Sequence, residues 1–163
     1  TKVCKNIYMT KKLNRIETEA WIGLLKSTEL LIDKVEEELK KNNLPPFSWY
    51  DVLLELDKCE DGRLRFVELG NRVLLNRYNV TRIIKRLERE GLVKREECKE
   101  DARGLFAVIT KKGRKMRKSM WPIYFNVVNQ YFLSSFNKQE LKDFLVKLNR
   151  IKNNFDSNVT QQT

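Results

Sequence analysis

A chain of 163 residues that is 41% hydrophobic and 34% charged, with six Gly and three Pro, has room for one domain or one head with dimerising helices; disorder, a collagen-like fibre and a large multi-domain enzyme are excluded. No apolar run approaches the roughly 20 residues that span a bilayer, and residues 1–12 lack the apolar core of a secretory signal, so a cytoplasmic protein without a membrane partner is expected. The net charge of +11 is confined: Gly62 to Lys118 holds 18 Lys and Arg against 7 Asp and Glu while the rest is balanced, the distribution of a polyanion-binding module within neutral scaffolding.

Ile16, Ala20, Trp21, Leu24, Leu31, Val35 and Leu39 fall mostly three or four residues apart among Glu and Lys, which predicts a long amphipathic helix from about Ile16 to Lys41. Leu44-Pro45-Pro46 ends it. Phe47 to Cys59 predicts a second helix, with Val52, Leu53 and Leu56 inward and Ser48 as a candidate cap, and Asp61-Gly62 marks a turn. Arg63-Leu64-Arg65-Phe66 alternates as a short strand does, and Val67 to Leu74 reads as a short third helix. Asn76 is placed to cap a fourth, in which Val80, Ile83, Ile84 and Leu87 stand at i, i+3, i+4 and i+7, with Gly91 as its stop. Leu92 to Glu97 and Gly104 to Thr110 form two strands joined by the charged loop Cys98 to Arg103.

Thr110 caps a fifth helix from about Lys111 to Phe136, and because Pro122 lies inside it a kink or break is expected near Met120. Asn137 begins a sixth, striped by Leu141, Phe144, Leu145, Leu148 and Ile151, before a polar, frayed tail from Asn153 to Thr163. Helix, turn, helix, hairpin is a winged-helix order. The expected fold is therefore mainly α with a small β hairpin: a winged helix-turn-helix head at 44–110, dimerisation helices at 13–43 and 111–152, and flexible tails at 1–12 and 153–163.

At about 100° per residue the apolar face of the fourth helix centres on Val80, Ile84 and Leu87, which leaves Tyr78, Arg82, Lys85 and Arg89 opposite. A helix fits the major groove of B-DNA, where Arg82 and Lys85 can donate to guanine or phosphate, Asn79 can pair with adenine and the Thr81 methyl can meet a thymine methyl. Residues of the first turns, from Arg77 to Lys85, reach deepest. On or beside the hairpin tip, Arg95, Lys99 and Arg103 offer cations to the narrow minor groove, and Asp101 can hold Arg103 or Arg95 in a bidentate pair. Double-stranded DNA is the partner this pattern fits, against the plainer alternatives of a solvated basic face, non-specific nucleic-acid binding or a protein-docking winged helix.

Leu44-Pro45-Pro46-Phe47-Ser48-Trp49-Tyr50-Asp51-Val52-Leu53, then Glu68-Leu69, then the run from Val80 to Val93, then Asp101-Ala102-Arg103 and Ile109-Thr110-Lys111-Lys112-Gly113 resemble the successive signatures of MarR-family regulators, in register from about Ile16 to Ile151. The resemblance implies a triangular homodimer built from the first, fifth and sixth helices, the fourth helix in the major groove and the wing arginine in the minor groove. It further implies a palindromic operator, transcriptional regulation by repression, and small phenolic or aromatic acids bound between head and dimer region. Asn76-Arg77-Tyr78-Asn79 departs from the small Ser or Pro residues commoner there, so no operator preference carries over. Trp21, Trp49, Tyr50, Tyr124 and Phe125 are the aromatics near that junction, candidates for an effector pocket or for plain packing.

Other chemistry finds little footing. The chain has no histidine, which excludes Ser-His and Cys-His catalysis and argues against His-containing metal sites. Glu36-Glu37-Glu38 suits a solvated helix face better than acid and base catalysis, and no Gly-rich phosphate loop is present. Neither enzyme activity nor a cofactor is expected. Cys4, Cys59 and Cys98 are odd in number and in no C-x-x-C pair, which argues against a disulfide framework or zinc ribbon; Cys4 stands near where peroxide-sensing relatives carry a reactive thiol, so thiol-based sensing is the minor alternative.

Overall fold

The computed structural model describes residues 12–74, 79–97 and 104–159. Cys4, Asn76, Arg77, Tyr78, Cys98, Lys99, Asp101 and Arg103 lie outside them.

Helix α1 (Arg15–Lys41) opens with a reciprocal cap: Asn14 Oδ1 accepts from the Glu17 N–H at 2.9 Å, and Glu17 Oε2 accepts from the Asn14 N–H at 2.8 Å. It closes at Asn43, whose φ of 55° sits in the left-handed region that Asn tolerates, and Pro45 and Pro46 prevent resumption. Only the last turns bury side chains, Val35 and Leu39.

Helix α2 (Phe47–Asp57) begins differently from expectation. Pro46 occupies its N-cap with no side-chain cap bond, and Ser48 does not serve; instead the Phe47 N–H donates to Glu36 Oε1 of α1 at 3.1 Å. A carboxylate from the neighbouring helix thus takes the role that a local hydroxyl would otherwise fill, and suits the positive end of the helix.

Strand β1 (Arg63–Arg65), helix α3 (Phe66–Arg72) and helix α4 (Val80–Arg89) follow, then strands β2 (Val93–Glu97) and β3 (Leu105–Ile109). The hairpin is part of a three-stranded antiparallel sheet in the order β1-β3-β2, with Leu64 opposite Ala107 and Arg95 opposite Ala107 on the other side. The start of α4 falls at Asn79, which has N-cap position without a side-chain cap bond.

Gly91 ends α4 at φ 68°, where the Leu92 N–H reaches the Leu87 carbonyl and the Gly91 N–H reaches that of Glu88, the double closure that favours glycine. Thr110 then starts α5 (Lys111–Val127): its hydroxyl accepts from the Gly113 N–H at 3.0 Å and donates to the Gly91 carbonyl at 2.8 Å. A Cβ on Gly113 would lie 2.2 Å from the Leu92 carbonyl oxygen, so the T-x-x-G motif is a close seat of α5 on the α4 terminus.

Regular α-helix passes Met120 and Pro122 without the expected break and yields to a π turn only at Val128–Phe132, then a 3-10 turn at Leu133–Ser135. Met120 is fully buried, which holds the helix, while Pro122 and Lys118 are exposed, so water can satisfy the carbonyl that the proline leaves without a donor. Helix α6 (Lys138–Val159), capped by Asn137 Oδ1 on the Gln139 and Glu140 N–H groups, also outruns its expected end. Phe155 extends the stripe of Leu148 and Ile151 by another turn.

Two apolar clusters result. In the head, α2, α3, α4 and the sheet enclose Leu53, Leu56, Leu69, Ile84, Leu87 and Leu92; against the stem, α1, α2 and α5 enclose Val35, Leu39, Phe47, Tyr50, Met120 and Val127. Helix α2 serves both, Leu53 and Leu56 facing one and Phe47 and Tyr50 the other. The architecture is a mainly helical winged-helix protein, and no helix among the described residues is long and apolar enough to cross a membrane.

Candidate nucleic-acid interface

Helix α4 is polarised by its own periodicity. Val80, Ile83, Ile84 and Leu87 are buried, whereas Thr81, Arg82, Lys85, Arg86 and Arg89 are exposed. Among the described residues none of Arg82, Lys85, Arg86 and Arg89 has an ion-pair partner, so four cations on one rigid element face outward with nothing to neutralise them. Arg86 adds to the residues expected from sequence; it lies about 40° around the helix from Arg82, a spacing that the pattern already contained. Asn79 is half-buried at the helix start, and its amide makes no capping bond.

Arg95 has a carboxylate partner on the fourth helix. From β2 its guanidinium forms an ion pair with Glu88 on α4, which ties the base of the wing to the fourth helix. The Arg95 Nε is buried without an acceptor among the described residues.

The end of α3 is anchored to α2. Asp51, almost fully buried on α2, accepts a hydrogen bond from the Leu74 N–H at 2.7 Å, just past the end of α3. At the C-terminal end of α2, Asp57 pairs with both Arg114 and Arg117 of α5, the latter at 2.6 Å through Nε. With Glu36 of α1 on the Phe47 N–H at the helix start, carboxylates tie α2 to the stem at both of its ends.

Leu74 also lines a cleft of about 460 Å³ with Thr28, Ile32 and Val35 of α1, Phe47 of α2, and Tyr124 and Val127 of α5. Phe47, Tyr50 and Tyr124 stack behind it, with ring centroids 5.0 Å apart for the tyrosine pair and 5.3 Å for Phe47 and Tyr124. Burial pushes both tyrosine hydroxyls above their usual value; for Tyr124 the Asp51 carboxylate adds to it. Of the five aromatics singled out from sequence, the structure brings Tyr50 and Tyr124 together, while Phe125 is exposed beside Trp121. Trp49 packs instead against the head cluster, and Trp21 stands 57% exposed on α1. Phe47, one turn before Tyr50 on the same helix face, was the partner that spacing alone could have supplied.

Two of the three consecutive glutamates on α1, Glu37 and Glu38, form an ion-pair lattice. Lys34 and Lys41 hydrogen-bond Glu37 and Glu38, which holds the Glu37 carboxyl down to about 2, far from an acid-base role at neutral pH.

Comparison with known proteins decides the lineage. A family model described as MarR family matches residues 45–104, the span from just before α2 to just before β3. The HTH-type transcriptional regulator SarZ of Staphylococcus haemolyticus is 30% identical over 126 residues, which cover 77% of this chain and 82% of that one. The chain belongs to the MarR family. Two solved structures agree: AbsC, a MarR family transcriptional regulator from Streptomyces coelicolor, superposes with a TM-score of 0.82 at 28% identity over 91% of this chain and 99% of that one. Sco3205, a MarR family transcriptional regulator of the same organism solved in complex with DNA, also gives 0.82, at 25% identity over 88% and 94%. This MarR-family chain is a winged-helix, DNA-binding transcriptional regulator, of a family of regulators rather than enzymes.

Proposed function

We propose that the protein is a homodimeric repressor that lays one α4 in the major groove of each half of a palindromic operator and is released when a small aromatic molecule enters the cleft between head and stem. The observation that carries this reading is the unneutralised basic face of α4, at a width that suits the groove. Arg82, Lys85, Asn79 and Thr81 take the base edges and nearby phosphates; Arg86 and Arg89 add phosphate contacts further along. On the sequence pattern, Arg77, Tyr78, Lys99, Asp101 and Arg103 complete the interface, Arg103 in the minor groove and Arg95 as a brace behind it. The DNA complex of Sco3205 supports the same use of the fold.

Dimerisation has its support at the two ends of the chain. Leu30, Leu145 and Phe155 are large apolar side chains left exposed on α1 and α6 (68%, 55% and 70%), more than one small head can cover. Residues 44–110 then act as the DNA-binding region, and the helices within 13–43 and 111–152 as the dimerising frame. The effector enters through the cleft that Leu74 shares with the stem: a ligand wedged there shifts the segment leading into α4, and hence the spacing of the two fourth helices.

Genomic fragments selected on the purified protein and sequenced provide the test. A shared two-fold symmetric sequence, with half-sites about one helical turn (roughly 10 bp) apart, is expected. Fragments with no sequence in common would replace this reading with non-specific nucleic-acid binding.

A further inference from the structure

The lining of the cleft identifies its ligand more narrowly than the fold does. The rings of Phe47, Tyr124 and Phe132 and the aliphatic side chains of Ile32, Val35 and Val127 make most of its wall. Among the described residues no charged side chain lines it. Thr28 brings a hydroxyl, but its proton is directed to the Leu24 carbonyl at 2.9 Å. On α1, one turn beyond Leu31, Lys34 lines the neighbouring cavity, where it is held by Glu37 and Glu38 at 2.8 and 2.9 Å.

We propose that this cleft takes a neutral, flat aromatic molecule and discriminates against aromatic carboxylates. The proposal rests on the effector reading above and fixes its ligand class. An anion entering here would leave water for an apolar wall with no cation among its described lining residues to receive it, whereas an uncharged ring gains the stacking that Phe47 and Tyr124 already show at an interplanar angle of 12°. A volume of about 460 Å³ admits a one- or two-ring compound. This differs from the aromatic acids that the family resemblance implies.

Calorimetry on the full-length protein with matched pairs, 2-naphthol against 2-naphthoate and benzyl alcohol against benzoate at neutral pH, tests it alongside release of bound DNA. The neutral member of each pair should bind about tenfold more tightly or better. Ile32→Trp, at a half-buried position of the wall, should abolish that binding, and Thr28→Lys, on the exposed side of α1, should shift the preference toward the carboxylate. Carboxylates that bind as tightly as their neutral partners and release DNA would overturn the proposal while leaving the effector reading intact. Binding of 2-naphthol undiminished in Ile32→Trp would place the site elsewhere and overturn it too. If no compound bound or released DNA, both would fail together.

Discussion

The carboxylate of Asp51 on α2 accepts a hydrogen bond of 2.7 Å from the backbone N–H of Leu74, the residue at which α3 has ended and the approach to α4 begins. This bond joins the helix shared by both apolar clusters to the residue just past the end of α3, and Leu74 itself lines the cleft. Asp51→Ala should therefore lower stability by about 1–3 kcal/mol, since a part-buried hydrogen bond to a buried carboxylate is lost, and should weaken operator binding in the same protein. Asp51→Asn, which retains an acceptor oxygen, should recover most of the stability. Denaturant titration and gel shift on both variants measure this; equal loss in the two would mean that the charge, not the hydrogen bond, matters.

The ion pair between Glu88 and Arg95 makes a separate claim about the wing. If Arg95 braces the hairpin, Glu88→Gln and Arg95→Ala should impair DNA binding alike, and the double variant should be little worse than either. Both side chains are about a third exposed, so the pair should add under about 1 kcal/mol to stability. A double-mutant cycle on affinity gives the answer. Additive losses would put Arg95 on the DNA in its own right.

Tyr50 and Tyr124 set the response to alkali. Their folded hydroxyls titrate above the usual value of about 10 because burial disfavours the charged phenolate. The unfolded chain ionises first as pH rises, so the stability from these groups is complete below about 10 and is lost as pH climbs through the folded values. Ultraviolet absorbance should show these two tyrosines ionising above the usual phenol value, and Tyr50→Phe should flatten the alkaline decline in stability. Ionisation of both at the usual value, with no change in folding, would contradict the stacked core.

Exposed apolar side chains on α1 and α6 lead to a mass. Light scattering at micromolar concentration should give twice 19.5 kDa. Leu30→Glu with Leu145→Glu should yield a folded monomer that binds DNA far more weakly, because each protomer then holds one half-site. Unchanged mass in the double variant would move the interface elsewhere.

Much of this was legible from side-chain spacing. The buried set of α4 is the i, i+3, i+4, i+7 set read from sequence, and Thr110 and Gly113 do what their spacing to Gly91 suggested, since caps and periodicity are local. The misses were tertiary. The start of α2 is satisfied by Glu36 from another helix, β1 joins the hairpin through a partner far along the chain, and Met120 packing carries α5 past Pro122. Trp49 and Tyr50 are adjacent in sequence yet face different clusters, a division that no count of aromatics could make. The pairing of Arg95 with Glu88 likewise joins a strand to a helix and could not be read from local spacing.

The central claim is that α4 reads DNA. The most direct measurement is the affinity of wild type and of Arg82→Ala for a selected operator and for unrelated duplex, between low and moderate salt. Loss of a base-edge donor should cost on the order of 1–3 kcal/mol per half-site on the operator and relax preference at particular positions, with little change on unrelated DNA. Arg86→Ala, as a phosphate contact, should instead weaken both and reduce the salt slope by about 1. Arg82→Ala, Lys85→Ala and Arg86→Ala all binding the operator as wild type does would contradict the account, because the exposed face of α4 would then not lie in the groove.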